Sequence, residues 1–125
     1  MPPMGGSVLI IDDDARFRRL AARLIATIGL RVAGEAESAA AARAAVDRLR
    51  PDAALVDVHL PDGDGIELAN EIAAMPWRPR VVLISSDPDA AIRLRPTHAD
   101  HLVFVAKPDL VTVQLRQLLT SGGAV

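Results

Sequence analysis

The stretch AALVDVHLPDGDG, residues 53–65, decides how this 125-residue chain folds. Its apolar start predicts a buried strand that delivers the carboxylate of Asp57 to the strand's end. The Pro and Gly residues that follow predict a loop, because they continue neither a strand nor a helix. In an open α/β sheet, ligands bind in the crevice beyond the carboxyl ends of the strands. Asp57 is therefore either a structural turn residue or the reacting group of a site.

The composition is that of one soluble domain. Apolar residues make up 50% of the chain, but its aromatic residues are only two Phe and one Trp, so Ala, Val, Leu and Ile must build the core. The absence of cysteine excludes disulfides, thiolate metal sites and cysteine nucleophiles. The net charge of -2 and the lack of a long apolar run predict no direct binding to nucleic acid or membranes. We expect a cytoplasmic protein.

Five short apolar runs alternate with helical patterns, which predicts βαβ units in a parallel sheet covered by helices on both faces. The predicted strands are residues 8–11, 30–36, 53–57, 80–84 and 102–106. The predicted helices are residues 17–28, 38–49, 66–74, 87–97 and 110–119, the fourth of them shortened by Pro96. Asp14 and Ser38 are the expected caps of the first two helices, and Trp77 is the expected packed anchor of the loop before the fourth strand. We expect residues 1–6 to be a disordered leader, residues 7–120 to be a single domain and residues 121–125 to be a flexible tail.

Polar side chains follow four of the five predicted strands. They are Asp12 and Asp13, Asp57, Ser85 and Lys107. Each of the Asp and Ser residues alone is more consistent with a helix cap than with a function, because both residue types are common caps after strands. Because the carboxyl ends of parallel strands lie at one edge of the sheet, these residues converge, and together they favour a site.

The chemistry of this set points to phosphoryl transfer. Two like charges about 4 Å apart repel by about 4 kcal/mol at an effective dielectric constant of about 20, so three carboxylates require a cation. Mg²⁺ binds one or two carboxylates together with water and phosphate oxygens. Lys107 supplies a charge for one phosphoryl oxygen, Ser85 a hydrogen bond for another, and the turn at Val58 and His59 further backbone donors. Asp57 stands where the nucleophile is needed.

Four segments, VLIIDDD (8–14), LVDVHLPDGDG (55–65), VVLISS (81–86) and FVAKP (104–108), resemble the receiver domain of bacterial two-component response regulators. The resemblance covers nearly the whole chain. It implies a flavodoxin-like sheet with strand order 2-1-3-4-5. It also implies a signalling switch that is not an enzyme beyond its own phosphorylation and dephosphorylation.

The resemblance assigns roles at the site. Asp57 corresponds to the phosphoacceptor, and Asp12, Asp13, Asp57 and the backbone carbonyl of His59 to the Mg²⁺ ligands. Ser85 and Lys107 correspond to the residues that contact the phosphoryl group.

Further roles concern switching. Ser85 and Phe104 correspond to the switch pair, with Phe instead of the commoner Tyr. Pro108 corresponds to a cis proline. His59 and Asp87 occupy the positions that tune the lifetime of the phosphoryl group.

The family also implies partners. A histidine kinase or a phosphotransfer protein donates the phosphoryl group, and the output is a downstream protein or a missing C-terminal domain. The face of the fourth helix, fifth strand and last helix would also suit a homodimer or another partner. The arginines of the first helix are expected on a solvated face that also serves kinase docking. On the last helix, the expected inward stripe is Val111, Leu115, Leu118 and Leu119, with Leu110 and Val113 left off it.

Two other functions fit parts of the pattern. A pseudo-receiver, a binding module that is not phosphorylated, is favoured by the altered region around Pro96 and disfavoured by the complete set of site side chains. A haloacid-dehalogenase-type phosphatase would use Asp12 as its nucleophile, with Ser85 and Lys107 in its other motifs. That alternative leaves Asp57 without a role.

Overall fold

The computed structural model describes residues 6–87, 89, 102–111 and 115–120. Most of the fourth predicted helix, the residues around Pro96 and the two chain ends lie outside the described residues, as do His98 and His101. None of the helices in the described part of the chain has the length and apolar character needed to span a bilayer.

The described part of the chain contains seven strands and four α-helices. The strands are β1 Ser7–Ile11, β2 Arg31–Ala36, β3 Ala53–Asp57, β4 His59–Leu60, β5 Gly63–Asp64, β6 Arg80–Ser85 and β7 Leu102–Ala106. The helices are α1 Ala15–Thr27, α2 Ala39–Leu49, α3 Gly65–Ala73 and α4 Leu115–Thr120, with a 3-10 helix at Lys107–Asp109.

The five long strands form one parallel sheet in the order β2-β1-β3-β6-β7. This is the predicted order 2-1-3-4-5, because β4 and β5 form a separate antiparallel hairpin that the sequence did not predict. The predicted doubly wound α/β fold is confirmed. The central strand β3 lies between β1 and β6, which places Asp57 in the middle of the sheet edge.

Successive residues of a strand point to opposite faces of the sheet, and a hydrophobic core lies on each face. Leu9, Ala54 and Leu83 pack on the face covered by α2 and α3. Ile10 and Leu55 pack on the opposite face, where α1 and α4 contribute Ala21, Ile25, Leu115 and Leu119. Because both faces are covered, β1 and β3 are buried along their whole length, as their continuous apolar runs require.

Short polar side chains cap the N-termini of α1 and α2. The carboxylate of Asp14 accepts a hydrogen bond from the amide of Arg16 at 2.9 Å, and the hydroxyl of Ser38 accepts one from Ala41 at 3.1 Å. Both residues were predicted as caps, and both predictions are confirmed. These caps fix where α1 and α2 begin, and so where the preceding loops end.

The last helix does not begin at residue 110 as predicted, because residues 107–111 form a 3-10 helix and a turn after β7. Its described part is Leu115–Thr120, and residues 112–114 lie outside the described residues. Leu115 and Leu119 are buried as predicted, but Leu110 is 2% exposed and Val111 is 61% exposed, the reverse of what was predicted for these two residues. The 3-10 helix and its turn change the angular phase, so the spacing of α4 cannot be extended back through them.

Trp77 anchors the loop between α3 and β6, as predicted. Its indole nitrogen donates to the carbonyl oxygen of Pro51 at 2.8 Å, and the guanidinium of Arg50 lies 5.2 Å from its ring centre. This anchor lies at the end of the sheet opposite to Asp57.

Candidate functional site

Asp12 lies at the carboxyl end of β1 and is fully buried. Its Oδ1 atom accepts a hydrogen bond from the amide of Asp14 at 2.8 Å. Its Oδ2 atom lies 2.7 Å from Nζ of Lys107, in a charge contact that lacks the alignment of a hydrogen bond. One buried carboxylate oxygen therefore faces a cation and has no aligned donor.

Asp57 lies at the carboxyl end of β3 and is 6% exposed. Its Oδ1 atom accepts a hydrogen bond from the amide of His59 at 3.2 Å, and its Oδ2 atom lies 3.5 Å from Nζ of Lys107. The loop returns closely over this strand end, where the amide of Gly65 donates to the carbonyl of Val58 at 2.8 Å. A Cβ atom on Gly65 would clash with the backbone oxygen of Asp57.

Lys107 reaches the two carboxylates from the end of β7. It is the only lysine in the sequence. Its Nζ atom also lies 4.5 Å from the ring centre of Phe17 on α1, in a cation–π contact. The site therefore joins β1, β3, β7 and α1.

The peptide bond before Pro108 is trans, so the predicted cis proline is wrong for this structure. Pro108 lies inside the 3-10 helix Lys107–Asp109, where the amide of Leu110 donates to the carbonyl of Lys107 at 3.1 Å. A helical turn is built from trans peptides, and the fixed φ of proline suits its start.

The pKa values report a site with excess negative charge. Burial, followed by the negative charge of Asp12, raises the pKa of Asp57, against the opposing effects of Lys107 and the amide of His59. Burial alone would lower the pKa of Lys107, but its contacts with Asp12 and Asp57 outweigh burial and raise that pKa. The site therefore favours bound positive charge.

Three carboxylates fit a divalent cation. Asp12, Asp13 and Asp57 each offer an oxygen atom, and these atoms lie within 4.8 Å of one another. Asp13 is exposed and completes the set from the solvent side. Hard oxygen ligands, together with the poorly satisfied Oδ2 atom of Asp12, suit Mg²⁺.

Ser85 and Phe104 lie on neighbouring strands. Ser85 ends β6, one residue beyond Ile84, the register partner of Asp57, and its side chain is fully buried. Its Oγ atom accepts a hydrogen bond from the amide of Asp87 at 2.9 Å. Phe104 is half-buried on β7 and packs against the core under α2 and α3.

His59 and Asp87 face each other at the surface of the site. Nε2 of His59 lies 3.8 Å from Oδ2 of Asp87, with both side chains well exposed. The sequence predicted a role for each residue separately. Their proximity emerges only from the packing of the β3–β4 connection beside the end of β6.

Residues 8–119 match the family model of the response regulator receiver domain. This chain belongs to that family. The receiver is 30% identical over 105 residues to the chemotaxis protein CheY of Thermotoga maritima, a match covering 84% of this chain and 88% of that protein. The signal receiver domain of NarL from Mycobacterium tuberculosis has the same fold, with a TM-score of 0.80 at 27% identity over 98% of this chain and 100% of that one.

The receiver also matches part of larger relatives. It is 34% identical over 103 residues to a protein-glutamate methylesterase/protein-glutamine glutaminase of Hahella chejuensis, covering 81% of this chain and 30% of that protein. The chain thus spans under a third of that relative's length. The predictions of a receiver domain and a CheY-like fold are confirmed. Response regulator receivers are generally signalling domains.

Two residues that contact the site loops, Arg18 and Asp62, were not predicted from the sequence. Nη1 of Arg18 donates to the backbone carbonyl of Asp12 at 2.7 Å, and its Nε donates to Glu35 at 2.9 Å, although the arginines of α1 were expected on a solvated face. Asp62 accepts hydrogen bonds from two amides at the start of α2. The only sequence signal for Asp62 was its place in the PDGDG turn, and Arg18 had none.

Proposed function

We propose that this receiver is a phosphorylation-dependent switch in which Asp57 accepts a phosphoryl group from a histidine kinase or a phosphotransfer protein. One observation carries the proposal. The Asp57 carboxylate lies at the centre of the sheet edge, within reach of two further aspartates and 3.5 Å from the ammonium of Lys107. A nucleophile, a cation site and a fixed positive charge therefore meet at one point.

In the proposed reaction, an oxygen of Asp57 attacks phosphorus while the bond from phosphorus to the donor's histidine nitrogen breaks. The product is an acyl phosphate, and the donor imidazole is left neutral after it takes up a proton. Lys107 is close enough to neutralise a phosphoryl oxygen on Asp57. The amide of His59, which already donates to Asp57, holds the carboxylate in place during the attack.

Mg²⁺ would be held by Asp12, Asp13, Asp57 and the backbone carbonyl of His59, and it would offset charge on the phosphoryl oxygens. Asp12 contributes a fully buried ligand, which its backbone contacts hold rigidly. Asp13 is exposed and would supply the ligand on the solvent side.

The proposed switch uses Ser85 and Phe104. Ser85 moves its hydroxyl toward the phosphoryl group, and Phe104 repacks into the space that this movement opens. Both lie on strands that pair directly, with Leu83 opposite Phe104 and Ser85 opposite Ala106. The changed face then recruits a downstream protein, a C-terminal output domain or a second copy of the chain. His59 and Asp87, paired at the mouth of the site, set how quickly water removes the phosphoryl group.

The test is an intact-mass measurement after incubation with acetyl phosphate and Mg²⁺. We expect the wild-type protein and the control Asp47→Asn, altered at an exposed position on α2, to gain one phosphoryl group. We expect Asp57→Asn to gain none. A folded wild-type protein that stays unmodified would overturn the proposal in favour of a pseudo-receiver. Labelling that survives in Asp57→Asn but disappears in Asp12→Asn would instead support the phosphatase-type mechanism.

A further inference from the structure

The turn between β2 and α2 contacts both acidic loops of the site. The amide of Asp12 donates to the carbonyl of Ala36, at the end of β2, at 3.0 Å. Three residues later, the amides of Ala39 and Ala40 donate to the two carboxylate oxygens of Asp62 at 2.7 and 3.0 Å. One short segment is therefore bonded to the loop that carries Asp12 and to the loop that follows Asp57.

The bonds to Asp62 are more than a helix cap. Ser38 already caps α2 from within, because its hydroxyl accepts from the amide of Ala41. Asp62 lies 23 residues further along the chain, between β4 and β5. Its carboxylate accepts hydrogen bonds from the amides of Ala39 and Ala40, the two residues before Ala41. Helix α2 thus has its own cap, and the second acceptor links two parts of the fold.

The link is short and continues to the phosphoacceptor. A Cβ atom on Gly63 would lie 3.4 Å from Cβ of Ala39, so the loop packs directly on the start of α2. Within the hairpin, His59 pairs with Asp64 and Leu60 pairs with Gly63. The amide of His59 in turn donates to Oδ1 of Asp57. A displacement of Asp62 would therefore be transmitted through the paired hairpin residues to His59, and from the amide of His59 to the Asp57 carboxylate.

We propose that Asp62 is a positioning residue, which fixes the loop after Asp57 against α2 so that the β2–α2 turn sets the spacing of the Asp12 and Asp57 carboxylates. For its effects on phosphorylation and on Mg²⁺ affinity this inference rests on the proposed function. Its effect on the geometry of the metal-free site does not.

The experiment compares the full chain with Asp62→Ala, Asp62→Asn and the control Asp47→Ala, which removes an exposed acid from α2. The readouts are the backbone amide shifts of Val58 and His59 without metal, the Mg²⁺ affinity from an NMR titration, and phosphoryl gain from acetyl phosphate. Loss of a residue that orients a metal ligand weakens metal binding by about tenfold or more, and we expect about tenfold for Asp62→Ala. Asp62→Asn keeps one of the two acceptors, so we expect it to recover part of that loss.

The outcomes separate positioning from capping. Shifted His59 and Val58 amides with weaker Mg²⁺ binding in Asp62→Ala, and wild-type behaviour in Asp47→Ala, support the inference. Lower thermal stability with unchanged amides and Mg²⁺ affinity overturns it. If Asp62→Ala does not fold, Asp62→Asn decides by the same two readouts. A wild-type protein that binds Mg²⁺ but gains no phosphoryl group overturns the proposed function, while the amide and Mg²⁺ results still decide the role of Asp62.

Discussion

The ammonium of Lys107 lies 2.7 Å from Oδ2 of Asp12, closer than the 3.5 Å that separates it from Oδ2 of Asp57. Lys107 thus neutralises mainly the fully buried carboxylate, although its proposed role is at the phosphoryl group on Asp57. A cation bound by Asp12 would take over this task. Cation binding would then release Lys107 toward Asp57.

Replacing this lysine tests the exchange. We expect Lys107→Met to lower the free energy of unfolding in metal-free buffer by about 1–3 kcal/mol, because Oδ2 of Asp12 stays buried without a partner. Saturating Mg²⁺ should recover part of the loss. Urea denaturation with and without Mg²⁺ measures both effects, with Arg48→Met on the exposed side of α2 as the control. An equal loss in both buffers would contradict the exchange.

Because Lys107 is the only lysine, its movement can be observed directly. In protein labelled with ¹⁵N at lysine side chains, the single Nζ signal should shift when Mg²⁺ is added. If Mg²⁺ shifts the amide signal of Asp13 but not the Nζ signal, Lys107 keeps its contact with Asp12.

Gly65 should tolerate no side chain. A Cβ atom there would overlap the backbone of Asp57 and Val58, and neither can give way without moving the strand end. We expect Gly65→Ala to destabilise the protein by about 1–3 kcal/mol, the usual cost of overpacking. We also expect it to abolish phosphoryl gain from acetyl phosphate.

The matched control for Gly65 is Gly63→Ala, in the same loop. Its added Cβ would meet Ala39 at 3.4 Å, an ordinary contact, so we expect nearly normal stability and phosphorylation. Similar damage in both variants, by thermal melting and intact mass, would mean that the loop is sensitive to any substitution.

Arg18 should support cation binding without touching the cation. Its guanidinium bridges the carbonyl of Asp12 and the carboxylate of Glu35, and its side chain is 17% exposed. We expect Arg18→Ala to weaken Mg²⁺ binding by about tenfold, as for other residues that orient metal ligands. Isothermal titration measures this, with Arg19→Ala, an exposed neighbour on α1, as the control. If Arg18→Ala and Arg19→Ala bind Mg²⁺ with equal affinity, Arg18 does not support the cation site.

Asp62 should make stability depend on pH. Hydrogen bonds from the amides of Ala39 and Ala40 lower the pKa of Asp62 in the folded protein. Between the folded and unfolded pKa values the unfolded chain binds more protons, so stability rises with pH in that range. The contribution is present above the unfolded pKa, about 3.9, and is lost as the pH falls through the folded pKa.

Thermal melting over a pH series tests this sign. The advantage in melting temperature of wild type over Asp62→Asn should be greatest at neutral pH and should shrink below about pH 4, as Asp62 is protonated. An advantage that is constant over the whole series would show that the charge of Asp62 plays no part.

Much of this receiver could be predicted from local patterns. The apolar runs predicted all five long strands, and the ends of β3 and β7 were predicted to the residue. The caps at Asp14 and Ser38 could also be predicted, because a cap involves residues only two or three positions apart. The gathering of Asp12, Asp57 and Lys107 at one edge followed from parallel pairing alone.

Errors arose where neighbouring segments decide the outcome. The sequence predicted neither the β4–β5 hairpin nor the 3-10 helix after β7. The family resemblance implied a cis bond at Pro108, which is trans here. Short elements of this kind bury few side chains of their own. Their form depends on the strands and helices that pack around them.

Residue order in this chain was enough to establish which groups reach the site, because hydrophobic periods and strand ends are local properties. Packing alone decided how those groups are arranged. Lys107 faces Asp12 before Asp57, Arg18 holds the carbonyl of Asp12, and Asp62 bonds to α2. Each of these contacts joins residues from different elements, at distances that are set by how helices and loops pack against the sheet.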